Sequence, residues 1–585
     1  MAFSGSISFP STTICTQNAI PKDKFTTQVA VRTNLSTTTT TSHPRMSVAC
    51  KYNEAATIQS LNLFSEPSPD SMDELQIKHV EKCMEARSTL NKLQDPLERM
   101  IMIDALQRLG IHYHFEQDIK TLLPNNHGSL SSPTYPFGDH NLHNTALHFR
   151  LLRQAGYWVP TDVFSSFKDK KGNFKVELRE DIRGMMSLYE ASHLGLKGEE
   201  ILDEAHDYAR MYLLGSLVNL PSNLARAVKD TLENPYHMSL ARFQSKRYLC
   251  SFHGTYGWMG LLQQLWKIDF NLVQSIHRHE LLQIFKWWRK LGLSQELNFA
   301  RNQPLKCYMW PMMVLPDPKF SELRIKMTKI ISRVYLIDDI FDVQGTLDEL
   351  VLFTKAINRW AAIEGLPNYM KMSFKVLNEI TNEITDKVLR EHGWSPVNSL
   401  RNAWGSLCDA FLVEAKWFAS KQQVPKAKDY LENGVVSSGV HVALLHGFFL
   451  LGEGITKETV DCMAQCPGPA LISRPARILR LWDDLGSAKD EGQDGQDGSY
   501  LECYLKEHKG SSIEDAQAHV FHLISDSWKQ LNQEILSWNS FLLSLTRVSL
   551  NTARMVSVMY AYDDSQRLPA LEEYIKSLLH ESIPS

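Results

Sequence analysis

The sequence predicts an all-α protein. From about residue 70 onward, apolar residues recur at spacings of three and four, as they do when one face of a helix turns inward. No alternating strand pattern of useful length breaks this rhythm. Clusters of Gly, Pro and Asn separate the periodic pieces.

In chain order, the first 50 residues stand apart. They hold eighteen Ser or Thr, four Lys or Arg and a single acidic residue, Asp23. With the low-complexity run "STTTTTS" at 36–42, such a composition cannot build a core. It fits either a plain disordered tail or an organelle transit peptide, and its poverty in acid favours transit. We expect residues 1–50 to be a plastid transit peptide, and the chloroplast stroma to be the destination. The periodic pieces follow: "PLERMIMIDALQRLGI" (96–111), "GEEILDEAHDYARMYLLGSL" (198–217) and "HELLQIFKWWRKLGL" (279–293). Between them lie "PNNHGSLSSPTYPFGDH" (124–140) and "KDKKGN" (168–173), and "GQDGQDGSY" (492–500) breaks the pattern later. "SFHGTYGWMG" (251–260) interrupts two helical stretches, which places a domain boundary near 255 and divides the chain into 51–255 and 256–585. No repeat of 30–45 residues is present.

Bulk properties exclude several classes. The formal charge is −4 and no Lys/Arg-rich run occurs, so no nucleic-acid partner is expected. No run of roughly 18 uninterrupted apolar residues marks a membrane span. The nearest, "VHVALLHGFFLLG" (440–452), is short and contains His441 and His446. Seven cysteines lie beyond residue 50. Cys462 and Cys466 lack the second Cys/His pair that a zinc site needs and read as ordinary thiols.

The chemistry lies after the boundary. "YLIDDIFD" (335–342) sets Asp338, Asp339 and Asp342 among Leu336, Ile337, Ile340 and Phe341. Crowded like charges in apolar surroundings are unfavourable unless a cation joins them. On an α-helix, residues four apart lie about 40° apart, so Asp338 and Asp342 share a face while Asp339 points away and orients its neighbours. Carboxylate oxygens are the ligands Mg²⁺ prefers. A second stretch, "LRLWDDLGSAKDE" (479–491), places Asp483, Ser487 and Glu491 at i, i+4 and i+8, a stripe of oxygen donors. A solvated acidic face is the alternative for either stretch. Arg480 lies three before Asp483, and Arg301 lies in "FARNQPLKCYMW" (299–310); guanidinium groups grip phosphate oxygens bidentately.

With these residues in place, the sequence resembles a plant class I terpene synthase over about residues 55–585. "DDIFDVQGTLDEL" (338–350) is similar to the family's aspartate-rich motif, and "LWDDLGSAKDE" (481–491) to its second metal motif, (N/D)Dxx(S/T)xxxE. "VEAKW" (413–417), "IDALQRLGI" (103–111) and "YEASHLGLKGEEILDEA" (189–205) also resemble family signatures. The resemblance implies two helical domains, the C-terminal one a class I terpenoid synthase bundle around an apolar cavity with both metal motifs at its mouth. It further implies three Mg²⁺, or Mn²⁺, held by Asp338, Asp342, Asp483, Ser487 and Glu491, with Arg301 and Arg480 on the diphosphate.

Departures narrow the reading. The usual Arg-x-Arg is "RNQ" here, with Gln303 in the second place, and Gln344 and Ser499 also depart from common family residues. The tandem-arginine motif RRx8W is missing, and no DxDD string supports protonation-initiated chemistry. These features look like the subgroup making mainly acyclic products. Geranyl diphosphate, and possible use of farnesyl diphosphate, are the expected substrates, with linalool by water capture (nerolidol from the longer substrate). Myrcene, ocimene or tricyclene by deprotonation is the alternative. Such a cation needs a dry aromatic wall, for which Trp287, Trp288, Trp310, Tyr335 and Tyr562 are candidates, with core packing as the other role open to each. A monomer is expected. A chain-elongating prenyltransferase would normally carry two DDxxD copies. A non-catalytic helical scaffold or a prenyl-diphosphate-binding protein is the rival from another class.

Overall fold

The computed structural model describes residues 69–125, 141–251, 256–291, 297, 299–361, 364–420, 425–487, 499–537, 543–562, 568–581 and 583; the 1–50 segment lies outside them. In the first half the helices are α1 (Pro69–Lys92), α2 (Pro96–Arg108), α3 (Glu116–Asn125), α4 (Leu142–Gln154), α5 (Ile182–Ser192), α6 (Glu200–Ser216), α7 (Ser222–Glu233) and α8 (Ala241–Ser251). In the second half they are α9 (Met259–Leu291), α10 (Pro304–Val314), α11 (Ser321–Asp339), α12 (Leu347–Arg359), α13 (Asn368–His392), α14 (Val397–Ser420), α15 (Ala427–Ser437) and α16 (Val440–Leu451). Then come α17 (Lys457–Met463), α18 (Ala470–Ser487), α19 (Tyr500–Glu507), α20 (Ile513–Ser537), α21 (Leu543–Met559) and α22 (Pro569–Ile575). Among the described residues the extended pairing is limited to one bridge, Lys168–Phe174.

Local chemistry sets the helix ends. Asp95 caps α2, its carboxylate accepting from the Leu97 N–H at 3.0 Å and the Glu98 N–H at 3.3 Å, and Pro96 sits where no N–H is needed. Thr346 and Glu349 form a reciprocal capping box at the start of α12. Residues 279–291 of the 279–293 periodicity form the last turns of α9, where Leu281, Ile284 and Phe285 are buried.

One apolar cluster runs through both halves. The first half docks on the second through polar clasps as well. The Asn532 amide donates to the carbonyls of His193 (3.0 Å) and Gly195 (3.1 Å) and pairs with His237 at 2.8 Å. α1 packs against α9. The stretch Ala427–Leu451 is long and apolar enough to cross a membrane by composition, but 78% of its most apolar window is buried within the fold. It is split at Gly439, and α15 and α16 are core helices of the second half.

Candidate active site

The first acidic row begins where α11 ends. After Asp339 the backbone widens into a π turn, Ile340–Gln344, closed by the Gly345 N–H on the Ile340 carbonyl at 2.8 Å. The sequence-based geometry assumed a regular α-helix. The wider i→i+5 turn brings positions four apart closer to one line than the about 40° of an α-helix. Gly345 permits this turn: a Cβ there would sit 2.9 Å from the Ile340 oxygen and 2.5 Å from Leu350 Cδ2. Asp338 and Asp342 both face a cavity of about 280 Å³. Asp339 does not. It is buried and holds Arg301, accepting its backbone N–H at 2.8 Å and pairing with Nε at 2.6 Å. Burial, partly offset by Arg301, lifts the Asp339 carboxyl to about 6. Arg301 Nη2 donates to Asp338, and its guanidinium lies 4.8 Å from the Tyr335 ring centroid.

The second row lies on α18. Asp483 faces the same cavity, as does Arg480. Burial disfavours the Arg480 charge, but Tyr430, Asp484, Glu414 and Asp483 outweigh it and hold its pKa well above the usual value. Arg480 Nε donates to the Tyr430 hydroxyl at 3.0 Å, and that hydroxyl donates to Asp484 at 3.0 Å. Asp484 also accepts the Tyr500 N–H at 3.0 Å. Ser487 is the last residue of α18, and the Ser487 side chain and Glu491 lie outside what is described.

Between the rows runs a break in the helix pair α15–α16. Gly439 adopts φ +72° there, and a Cβ would meet Val334 Cγ1 at 2.5 Å. Both conditions require glycine. Ser437, Ser438 and Gly439 line the same cavity as Asp338 and Arg480. Gly439→Ala is expected to lower stability by about 1–3 kcal/mol from the left-handed backbone and the close approach together, measured by urea unfolding. A midpoint equal to that of the parent would show that the break tolerates a side chain.

Of the five aromatic candidates, Trp310, Tyr335 and Tyr562 line the cavity. Trp310 Nε1 donates to the Tyr335 hydroxyl at 3.2 Å, fixing both rings. Trp287 and Trp288 lie outside it, as do all the described residues of α9. Trp287 stacks beneath Arg333 at 5.0 Å, and Trp288 donates to Asn302 at 2.7 Å beside a separate small pocket. Their correction is one of element: α9 does not line the cavity. Sequence reasoning missed Tyr560, Tyr430, Glu414 and Asp484. Burial, Tyr335 and then the carboxylates of Asp483 and Asp338 push the Tyr560 phenol well above its usual value, so both acidic rows act on one hydroxyl. Glu414 lies within "VEAKW" and Asp484 beside Asp483, the available signals.

Among the described residues, five carboxylates face the cavity (Asp338, Asp342, Glu414, Asp483, Asp484) against Arg301, Lys306 and Arg480. Much of the remaining wall is apolar, formed by residues such as Met327, Ile331, Leu444 and Val548. An acidic mouth on an apolar pocket fits divalent cations with hard oxygen ligands, and the surplus negative charge is what such cations neutralise. Two family models match the chain: the terpene synthase N-terminal domain over residues 50–232, and the terpene synthase family metal binding domain over residues 289–530. The chain belongs to the plant terpene synthase family. It is 55% identical to a probable terpene synthase of Ricinus communis over 83% of this chain and 85% of that one. It is 50% identical to an (E)-nerolidol synthase of Cannabis sativa, with 84% and 90% covered. A tricyclene synthase of Antirrhinum majus, named as chloroplastic, is 44% identical, with 88% and 90% covered. Among solved structures, isoprene synthase from grey poplar in complex with three Mg²⁺ ions and dimethylallyl-S-thiolodiphosphate superposes with a TM-score of 0.79, 35% identity and 88% and 99% covered. This terpene synthase is therefore a lyase of isoprenoid biosynthesis with a metal-binding class I fold.

Proposed function

We propose that this terpene synthase ionises geranyl diphosphate in a plastid and releases an acyclic monoterpene, chiefly linalool. The observation that carries the reading is the joining of two acidic rows and two arginines at the mouth of one apolar cavity. Asp338, Asp342 and Asp483 hold Mg²⁺ (three ions, by analogy with the poplar complex, or Mn²⁺), with Ser487 and Glu491 completing the second row. Bound metal supplies positive charge to the departing diphosphate. Arg301 and Arg480 add charge-assisted hydrogen bonds to the same oxygens. The C1–O bond breaks, its electron pair leaves with diphosphate, and the allylic cation remains against Trp310, Tyr335 and Tyr562. Water attacks the tertiary carbon and loses a proton, giving linalool and inorganic diphosphate; farnesyl diphosphate gives nerolidol by the same step.

Support for early water capture comes from Gln303 in place of a second arginine and from the absent tandem-arginine segment, both of which weaken retention of diphosphate. The nerolidol-forming relative favours a tertiary alcohol. The tricyclene-forming relative favours the second reading, a hydrocarbon by deprotonation. Its chloroplastic name supports the plastid and hence the C10 substrate. In this reading 51–255 is a separate helical domain that caps and supports 256–585. The test is incubation of purified protein with each diphosphate and Mg²⁺, followed by chiral gas chromatography. Linalool and nerolidol are expected; a cyclic hydrocarbon as main product from geranyl diphosphate would overturn the acyclic assignment. Gln303→Arg is expected to raise the cyclic fraction, and an unchanged profile would remove that position from the explanation.

A further inference from the structure

A second set of metal-type ligands lies away from the cavity, where α1 meets α9. His79 and Cys83 are one turn apart on α1 and share a face. His114 reaches them from the short 3-10 turn His112–Phe115. One ligand atom from each of the three lies within 4.8 Å of the others. Cys83 Sγ is 3.8 Å from His79 Nε2, and the two imidazole centroids are 4.7 Å apart. Zinc bonds of about 2.0–2.3 Å in a tetrahedron place ligand atoms roughly 3.3–3.7 Å from one another, so small rotamer changes suffice to close the set.

The surroundings are those of a built site. Asp269 of α9 has a side chain 2% exposed, pairs with His114 Nε2 at 2.8 Å and lies 3.5 Å from His79 Nε2. On His114 this leaves Nδ1 for the ion, with the carboxylate orienting the ring and fixing its tautomer as in metal centres; on His79 the carboxylate stands near the same nitrogen that faces Cys83. Arg242 at 3.1 Å and the Tyr113 hydroxyl complete the shell around Asp269. His79, Cys83 and His114 are 14%, 9% and 20% exposed, which leaves an entry path and room for water as a fourth ligand.

We propose that His79, Cys83 and His114 form a binding site for a zinc-class ion, separate from the Mg²⁺ site, that ties α1 to the body of the enzyme. Thiolate and imidazole select zinc or cobalt over magnesium.

The test uses the full chain, stripped with chelator and titrated with Co²⁺ in excess Mg²⁺. The expected result is a thiolate-to-cobalt charge-transfer band in the near ultraviolet that saturates at one equivalent. No cysteine lines the catalytic cavity among the described residues, so that site does not produce the band. Cys83→Ser should abolish the band, and His114→Gln should weaken cobalt binding at least tenfold. Zn²⁺ should raise the melting temperature of the parent by several degrees and leave that of Cys83→Ser unmoved. Absence of the band in the parent would overturn the site whether or not the variants fold. So would a band that survives in Cys83→Ser.

Discussion

Asp338→Asn is expected to lower turnover of geranyl diphosphate at least a hundredfold, about 2.7 kcal/mol of transition-state stabilisation. The substitution keeps side-chain size and removes the charge that pairs with Arg301 and that the proposed function assigns to a divalent ion. Fold stability should change little. The Asp338 side chain is 26% exposed, and Arg301 retains Asp339, which pairs with its Nε at 2.6 Å and accepts its backbone N–H at 2.8 Å. On the proposed reading of Asp338 as a metal ligand, the Mg²⁺ concentration for half-maximal rate should rise with the loss. A purely structural role would move the melting temperature and leave metal dependence alone. Turnover within tenfold of the parent, with unchanged Mg²⁺ dependence, would remove Asp338 from the metal row. Colourimetric release of inorganic phosphate from diphosphate, coupled to pyrophosphatase, measures the loss without knowledge of the organic product. It also separates an enzyme from a protein that only binds prenyl diphosphates.

What could be read in the sequence follows from how local each cause is. The 96–111 and 198–217 periodicities appear as α2 (Pro96–Arg108) and α6 (Glu200–Ser216), because caps and an apolar stripe are neighbours in sequence. The aspartates at 338 and 342 and the arginines at 301 and 480 could be picked out because charge in apolar company is conspicuous. The π turn could not. It depends on how closely Gly345 approaches Leu350 and the Ile340 carbonyl, and a lone Gly after "DVQ" has many other uses. The break at Gly439 was hidden inside one apolar run, and its cause, contact with Val334 of α11, is a hundred residues away in the chain. That Trp287 and Trp288 miss the cavity could not be read either, because it depends on where the whole of α9 packs: no described residue of that helix lines the cavity. Tyr430, which seats Arg480, carries no motif of its own, and Asp484 stood inside the second metal motif with no separate role legible there.

Glu280→Ala is expected to cost about 3–5 kcal/mol of stability, the scale for removing one partner of a buried ion pair. Glu280 on α9 and Arg324 on α11 are buried, with Nη2–Oε1 at 2.6 Å and Nε–Oε2 at 2.8 Å. Tyr308 on α10 donates to the same carboxylate at 2.6 Å, and His277 meets the Tyr308 hydroxyl at 2.8 Å. Three helices therefore meet on one carboxylate. Without it, Arg324 keeps the carbonyls of Leu315 and Asp317, each at 2.7 Å, but its charge is left uncompensated. Replacing both partners by Met removes the orphan charge as well, so the double variant should be closer to the parent than Glu280→Ala. Burial opposes ionisation of Glu280, but Arg324 and His277 outweigh it and hold its carboxyl below the usual 4.5. A depressed carboxyl contributes stability that is in place above about pH 4.5 and is lost as pH falls through the folded value. The gap between parent and Glu280→Ala in urea midpoint should thus be wide at pH 7 and narrow as the medium is acidified below 4.5. A loss under 1 kcal/mol at pH 7, or a gap that widens in acid, would show that the pair does not anchor these helices. Because Arg324 opens α11 and Asp338 lies in its last turn, the variant should also lose activity near its melting range before bulk unfolding, as the acidic row drifts from Asp483 across the cavity mouth.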